Sequence, residues 1–367
     1  MYLGLQIDGA LLRARLRSSH LLDQHRALAS AIEITGKLPP PTPDIQLAGP
    51  EWFRVMAMKT CLQLAALVLV AMCGIGASAQ DLVPRAYVIA PVRSNAVILT
   101  DSFLSGGLLL EGAAPITDST ASGNIPVMTY YRSLGLFGRS ANVTASLPYL
   151  VGHFKGKVSG ADSAIYRSGL MDSVYRFSIN LKGGPALSVR DFQQWRQKTL
   201  IGASLKVVAP TGQYDPTKLI NASYNRWAFK PELGISRRWG NWLLDSYGSV
   251  LLFTTNDHYY SPAPPQRNVM TQAPIWGFEG HLSYDVRPRL WISLDGNYWR
   301  GGTTSVNGVA DSSTLQANSR LGATFSVPVS RHQSIKISYS RGAYVLFGGN
   351  LSSISVAWQY AWIDKPK

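Results

Sequence analysis

Ser353-Ile-Ser-Val-Ala-Trp-Gln-Tyr-Ala-Trp362 sorts its side chains by parity. Ile354, Val356, Trp358, Tyr360 and Trp362 share one face; Ser353, Ser355, Ala357, Gln359 and Ala361 share the other. A period of two in β-branched and aromatic residues specifies a strand. One face is continuously large and apolar, and the opposite one is small and polar. In a soluble sandwich such an apolar face points into a core. In an outer-membrane barrel it points into lipid, and the small polar face lines the lumen. This strand alone fits either arrangement; the recurrence of its pattern favours the barrel.

From Asn95 onward the pattern recurs in about twelve segments: 95–105, 125–134, 139–151, 171–181, 199–209, 227–238, 242–253, 275–286, 290–299, 316–327, 334–341 and 351–362. Short turns (Gly135–Gly138, Gly240-Asn241, Arg287–Arg289, Pro328–His332) alternate with longer loops at 106–124, 152–169, 210–225, 255–271, 301–315 and 342–350. Short periplasmic turns alternating with long external loops are the rhythm of an up-and-down barrel. An even strand number returns both termini to the periplasm. The expected fold is all-β: a single transmembrane antiparallel up-and-down β-barrel of the outer-membrane type. One connection breaks the rhythm. Lys182–Gln197 should be a short turn and is not; Ser188 as a cap predicts a short helix over 188–195 at the periplasmic rim.

Composition agrees. No run of about 18 apolar residues occurs, so membrane-spanning helices are not expected. The chain has 367 residues and a formal charge of +14, about +12 of it from Gln80 onward. Such a balance first suggests nucleic acid. The basic residues, however, stand singly among Ser and Gly, which predicts no nucleic-acid partner. A positive field equally suits an anion-preferring lumen or anionic lipid headgroups.

Residues 1–57 show no strand alternation and contain a Pro-rich break at Leu38–Pro43. Met58-Lys59, the apolar run Leu62–Met72 and Ala77-Ser78-Ala79 form a secretory signal with its cleavage site. The expected organisation is therefore 1–57 as an extension from a misplaced start, 58–79 as signal peptide, 80–94 as a polar periplasmic lead-in, and 95–367 as barrel. Both cysteines, Cys61 and Cys73, fall in the signal. The exported chain then uses no disulfide, thiol or cysteine metal site. Met72 before Cys73 is too large for a lipoprotein signal.

Strand charges collect on the inward parity: Arg176, Lys206, Lys230, Glu232, Asp245, Glu279, His281, Asp295, Arg320 and Lys336. Charges facing lipid are costly, so in a barrel these must face the lumen. They form either an ion-pair ladder that stiffens the interior or a polar constriction on a solute pathway. Aromatics near strand ends (Tyr149, Trp227, Trp239, Trp242, Tyr284, Trp299, Tyr344, Trp358, Trp362) suit membrane girdles; Trp299 or Tyr259-Tyr260 could instead stack on a ligand. His281-Leu-Ser283 puts His and Ser on one face, a pair that outer-membrane phospholipases use. No third catalytic group, metal spacing or phosphate-binding loop accompanies it, so no enzyme, cofactor or metal is expected.

Several blocks carry a family resemblance. Leu200-Ile-Gly-Ala-Ser-Leu-Lys-Val-Val-Ala-Pro-Thr-Gly-Gln-Tyr-Asp-Pro216, Lys218-Leu-Ile-Asn221 and Asn225-Arg-Trp-Ala-Phe-Lys-Pro-Glu-Leu-Gly234 resemble the outer-membrane barrel family labelled "transporter" or phenol-degradation meta-pathway protein. Gly135–Arg139, Ala145–Tyr149, Leu294–Trp299 and Asn318–Ala323 are similar to its other blocks. The likeness covers Pro84–Trp362. It implies an outer-membrane location and uptake of small hydrophobic or aromatic compounds; it transfers no site residue. The aromatic ending at Trp362 resembles the signal read by the barrel-assembly machinery, although Ile363–Lys367 follow it. Expected partners are outer-membrane lipids, that machinery and a small-molecule solute; the pattern fixes no oligomeric state. The leading expectation is a Gram-negative outer-membrane channel. Its rivals are a closed structural or adhesive barrel and a lipid-modifying barrel enzyme.

Overall fold

The computed structural model describes residues 82–109, 116–158, 160–218, 220–261 and 267–365. The extension 1–57 and the signal peptide 58–79 lie outside the described residues. Twelve long strands form the wall: β1 (Ser94–Leu109), β2 (Ile116–Leu136), β3 (Arg139–Val158), β5 (Ser173–Lys182), β6 (Thr199–Ala209), β7 (Ala228–Trp239), β8 (Trp242–Phe253), β11 (Ile275–Arg287), β12 (Leu290–Gly301), β15 (Gln316–Pro328), β16 (Gln333–Val345) and β17 (Gly348–Ile363). Each pairs antiparallel with its neighbours in the wall, and β17 pairs with β1 from Ser94↔Ile363 to Leu109↔Gly348. The sheet is thus closed, with no wall strand left as an edge, the arrangement a bilayer demands of strands.

Parity does what the sequence pattern requires. Every wall strand exposes at least one large apolar side chain outward, among them Leu99, Met128, Leu147, Tyr175, Leu205, Leu233, Leu244, Phe278, Leu294, Leu321, Ile337 and Ile354. Inward positions hold the strand charges and many small or hydroxyl groups, with an apolar cluster toward one end. The turn Phe137-Gly138 has both residues at positive φ (51° and 71°), the backbone twist that a two-residue hairpin needs. The one α-helix among the described residues, α1 (Val189–Gln194), starts at Ser188, whose hydroxyl accepts from the Asp191 amide. It lies in the connection between β5 and β6, at the short-turn end, as expected.

The loops depart from expectation. The stretch 342–350 is not a long loop: β16 runs to Val345 and β17 begins at Gly348, leaving Leu346-Phe347 as the turn. The stretches 106–124 and 152–169 are largely strand. β2 and β3 stay paired beyond the ring, and β4 (Ala161–Leu170) adds to β3 there. Alternation persists in these stretches, but Gly and Ser dilute it. Farther round, β9 (Asn256–Tyr259), β10 (Asn268–Gln272), β13 (Thr304–Val306) and β14 (Val309–Asp311) form a small second sheet over the external end.

The described part of the lead-in, residues 82–93, enters the barrel. Tyr87 is buried, and its hydroxyl donates to Glu232 Oε1 (2.9 Å) and lies 3.2 Å from Ser204 Oγ. Its ring meets Tyr247 edge-on at 5.3 Å. Gly202 and Gly234 make this possible, because a Cβ on either would overlap the Tyr87 ring. The Arg85 and Ala86 amides donate to Asp245 Oδ2 and Tyr247 Oη, both at 3.1 Å. The Arg85 guanidinium meets Asp285 at 2.7 Å and lies 4.2 Å above the Trp291 ring. The segment floors the lumen at the short-turn end.

Gly234→Val should therefore expel Tyr87 without breaking the wall. Limited trypsin digestion of the folded protein should then cut after Arg85, where the native chain resists, and ion conductance in planar bilayers should rise.

Candidate functional site: the lumen

Above this floor lies a cavity of about 480 Å³. Its lining divides in two. On one side stand the cations Arg176, Lys206, Lys230 and Arg320 with the carboxylates Glu232, Glu279 and Asp295. On the other, β16, β17, β1, β2 and β3 offer hydroxyls (Ser338, Ser355, Ser102, Thr100, Thr129, Ser146) and aliphatic groups (Ile98, Leu104, Ile125, Val127). Lys336 is the one charge that lines the cavity from those five strands, among the described residues.

The charged side is an alternating ladder. Arg176 Nη2 meets Glu232 Oε1 at 3.5 Å, and Lys230 Nζ meets Glu232 Oε2 at 3.5 Å and Glu279 Oε1 at 2.9 Å. His281 Nε2 lies 3.7 Å from Glu279 Oε2, while its Nδ1 donates to Asp295 Oδ1 at 2.9 Å. Asp295 also accepts from Ser293 Oγ (2.9 Å) and Thr324 Oγ1 (2.7 Å). Register explains the need for the carboxylates. Arg176 sits opposite Lys206, and Lys206 opposite Lys230, which would repel in a bare row. The same logic puts His281 between Asp245 and Asp295.

All ten sequence-predicted charges face inward, and eight of them line the cavity. Asp245 and His281 do not: both are buried in the wall lining, Asp245 beneath the Arg85 amide. Ser283 shares a face with His281, yet its hydroxyl makes no hydrogen bond. The imidazole Nδ1 bonds to Asp295 and its Nε2 lies 3.7 Å from Glu279, with no hydrogen bond between His281 and Ser283.

The external side of the lumen is apolar. Val208, Ala228, Leu251, Ile275 and Trp299 form a buried cluster with Val174 and Phe253 against it. Trp299 is therefore not a girdle residue. Its parity turns it inward, and its indole Nε1 donates to Gln316 Oε1 at 2.9 Å. Tyr259 and Tyr260 are likewise buried, around Met270. Arg226 joins these parts. Its guanidinium bonds to Gln272 Oε1 and Met270 Sδ and lies 4.4 Å from the Phe253 ring centre. Burial lowers its pKa to about 10, which still leaves it charged at neutral pH. The Asn225-Arg226 block thus fixes the mouth's geometry. Asp172, at the break between β4 and β5, ties loop 210–227 down by accepting from the Gly212 and Tyr224 amides.

Sequence reasoning missed the floor, because residues 82–93 have no periodicity. Inward glycines on adjacent strands, Gly202 opposite Gly234, were its available signal.

A closed wall with an apolar belt outside and a polar, partly filled lumen inside defines an outer-membrane β-barrel. Residues 111–354 match the family model described as "Putative MetA-pathway of phenol degradation", and the chain belongs to that family. The fold is similar to the crystal structure of an outer membrane channel from Pseudomonas putida F1. The TM-score is 0.63 at 16% identity, covering 77% of this chain and 100% of that one. The β domain of the Bordetella autotransporter BrkA gives a TM-score of 0.42 at 12% identity, covering 74% and 100% of the two chains. A search of curated protein sequences found no match.

Two outcomes follow from this geometry. Lys230→Met strands Glu279 and Glu232 without their shared cation and should destabilise the barrel by about 3–5 kcal/mol, with Lys230→Met/Glu279→Gln recovering part of it; urea unfolding from lipid vesicles measures both. In the external loop, Asp215 accepts from the Thr217 hydroxyl and amide and pairs with Lys218, which lowers its pKa to about 2. Because the folded value lies below the unfolded one, this support is complete above about pH 4 and is lost as pH falls through the folded value. Amide exchange at Thr217 should therefore accelerate below pH 3, relative to distant loop amides.

Proposed function

We propose that the protein is an outer-membrane channel for small amphiphilic solutes, aromatic compounds among them. The observation that carries this reading is the divided cavity. A purely ionic lumen would suit hydrated ions, and a purely apolar one would suit alkanes. Here hydroxyl and aliphatic groups face a charged wall across about 480 Å³. A dry cavity of about 150 Å³ accommodates benzene, so this one has room for a substituted ring with water around its polar group. Membership of a family described by phenol degradation agrees with an aromatic cargo. Passage to the periplasm requires the 82–93 floor to shift, since Leu82, Val83 and Ala86 line the cavity from below.

A closed structural barrel is the second reading, favoured by that same floor and by the Trp299 cluster above. Flux separates the two. Liposomes carrying the protein should admit benzoate at pH 7.5 faster than protein-free liposomes and faster than they admit glucose, and Tyr87→Ala should increase the rate. No passage of either solute through folded protein, native or Tyr87→Ala, would leave the structural reading standing. Lipid hydrolysis that disappears with His281→Ala would instead revive an enzyme.

A further inference from the structure

Lys336 stands apart from the ladder. It projects from β16 into the cavity, with Ser326 beside it on β15 and Ala357 on β17. The same register row continues through Thr100 on β1 to Val127 on β2, none of which carries charge. Asp295 lines the same cavity. That carboxylate already takes three donors, from His281, Ser293 and Thr324. Among the described residues, neither a hydrogen bond nor an ion pair joins the Lys336 ammonium to a protein acceptor, although it borders the cavity. An ammonium in such a place is stabilised most by an anion that brings its own negative charge. Ala357 leaves space beside it, and Ile98 and Val127 supply an apolar surface within the same wall.

We infer that Lys336 is the head-group site of the lumen, binding the carboxylate of a small amphiphilic monoanion whose hydrocarbon or ring lies against the β1–β2 wall. The inference rests on the channel reading and deepens it, because it assigns the polar group of the solute a sign and a partner. It also gives the lumen an asymmetry: the ladder cations are shared among carboxylates, whereas this one is left to the guest. The Ser and Thr hydroxyls around it can donate to the second carboxylate oxygen. A neutral amide of the same shape keeps the apolar contact and loses the charge.

The test is binding of benzoate and of benzamide to the full chain folded in detergent micelles, followed by calorimetry at pH 7.5. The native protein should bind benzoate more tightly than benzamide. Lys336→Gln should weaken benzoate by roughly tenfold, the loss of one charge-assisted hydrogen bond, and leave benzamide within about twofold. Lys336→Arg should keep the benzoate preference. Ala357→Leu, which fills the space without touching the charge, should weaken both ligands. Equal affinities in the native chain, or a benzoate preference that survives Lys336→Gln, would overturn the inference. Selective benzoate binding without flux would uphold the site while removing the channel reading; flux with a preference indifferent to Lys336 would do the reverse.

Discussion

The wall must close, and everything else depends on that. In hydrocarbon an unpaired backbone N–H or C=O costs several kcal/mol, so a spanning sheet cannot keep an edge. The β17–β1 pairing, which holds register from Ser94↔Ile363 to Leu109↔Gly348, satisfies the two edges that a twelve-stranded meander would leave. Closure then gives every residue one of two environments. With a side-chain period of two, one parity goes to lipid and the other to the lumen. The placement of Lys230, Glu279 and Asp295 is a consequence of that arithmetic before it is a matter of function.

Once charges are forced inward, the lumen must manage them. Twelve strands enclose more space than side chains of ordinary size fill, yet less than a porin's aqueous pore. Two solutions coexist here. Toward β7, β11 and β12 the charges are joined in a ladder in which Glu232 and Glu279 sit between cations. Toward β16, β17 and β1, charge is nearly absent and hydroxyls satisfy one another, as between Ser355 and Ser102 at 2.8 Å. Like charges placed opposite each other, Arg176, Lys206 and Lys230, keep the first side tense enough to need its carboxylates. Removal of one carboxylate there would matter more than removal of one serine on the quieter side.

The wall was legible because its signal is local. Parity within ten residues tells lipid from lumen, and it placed all ten candidate charges on the correct face. It also located α1 from one capping serine. What local signal could not reach is whatever depends on distant contacts. Trp299 looked like a girdle aromatic by position near a strand end, but its parity relative to Tyr298 turns it inward. Leu346-Phe347 looked like part of a long loop because Gly342, Gly348 and Gly349 resemble loop composition; they are strand residues where neighbouring chain approaches closely. At Gly342 a Cβ would lie 2.6 Å from Asn350 Oδ1. The floor was invisible for the same reason: its fit is written in Gly202 and Gly234, more than a hundred residues from Tyr87.

The floor's contacts also differ in kind. Tyr87 is enclosed, with its ring in a slot only glycines allow and its hydroxyl on Glu232, which belongs to the ladder. Arg85 is held by charge instead: its guanidinium pairs with Asp285, which Arg238 also engages. The segment is therefore anchored by shape at Tyr87 and tethered by charge below it. Any change in the ladder that draws Glu232 away would loosen the Tyr87 hydroxyl, because Arg176 and Lys230 compete for the same carboxylate. The floor and the charged wall thus share one carboxylate, Glu232.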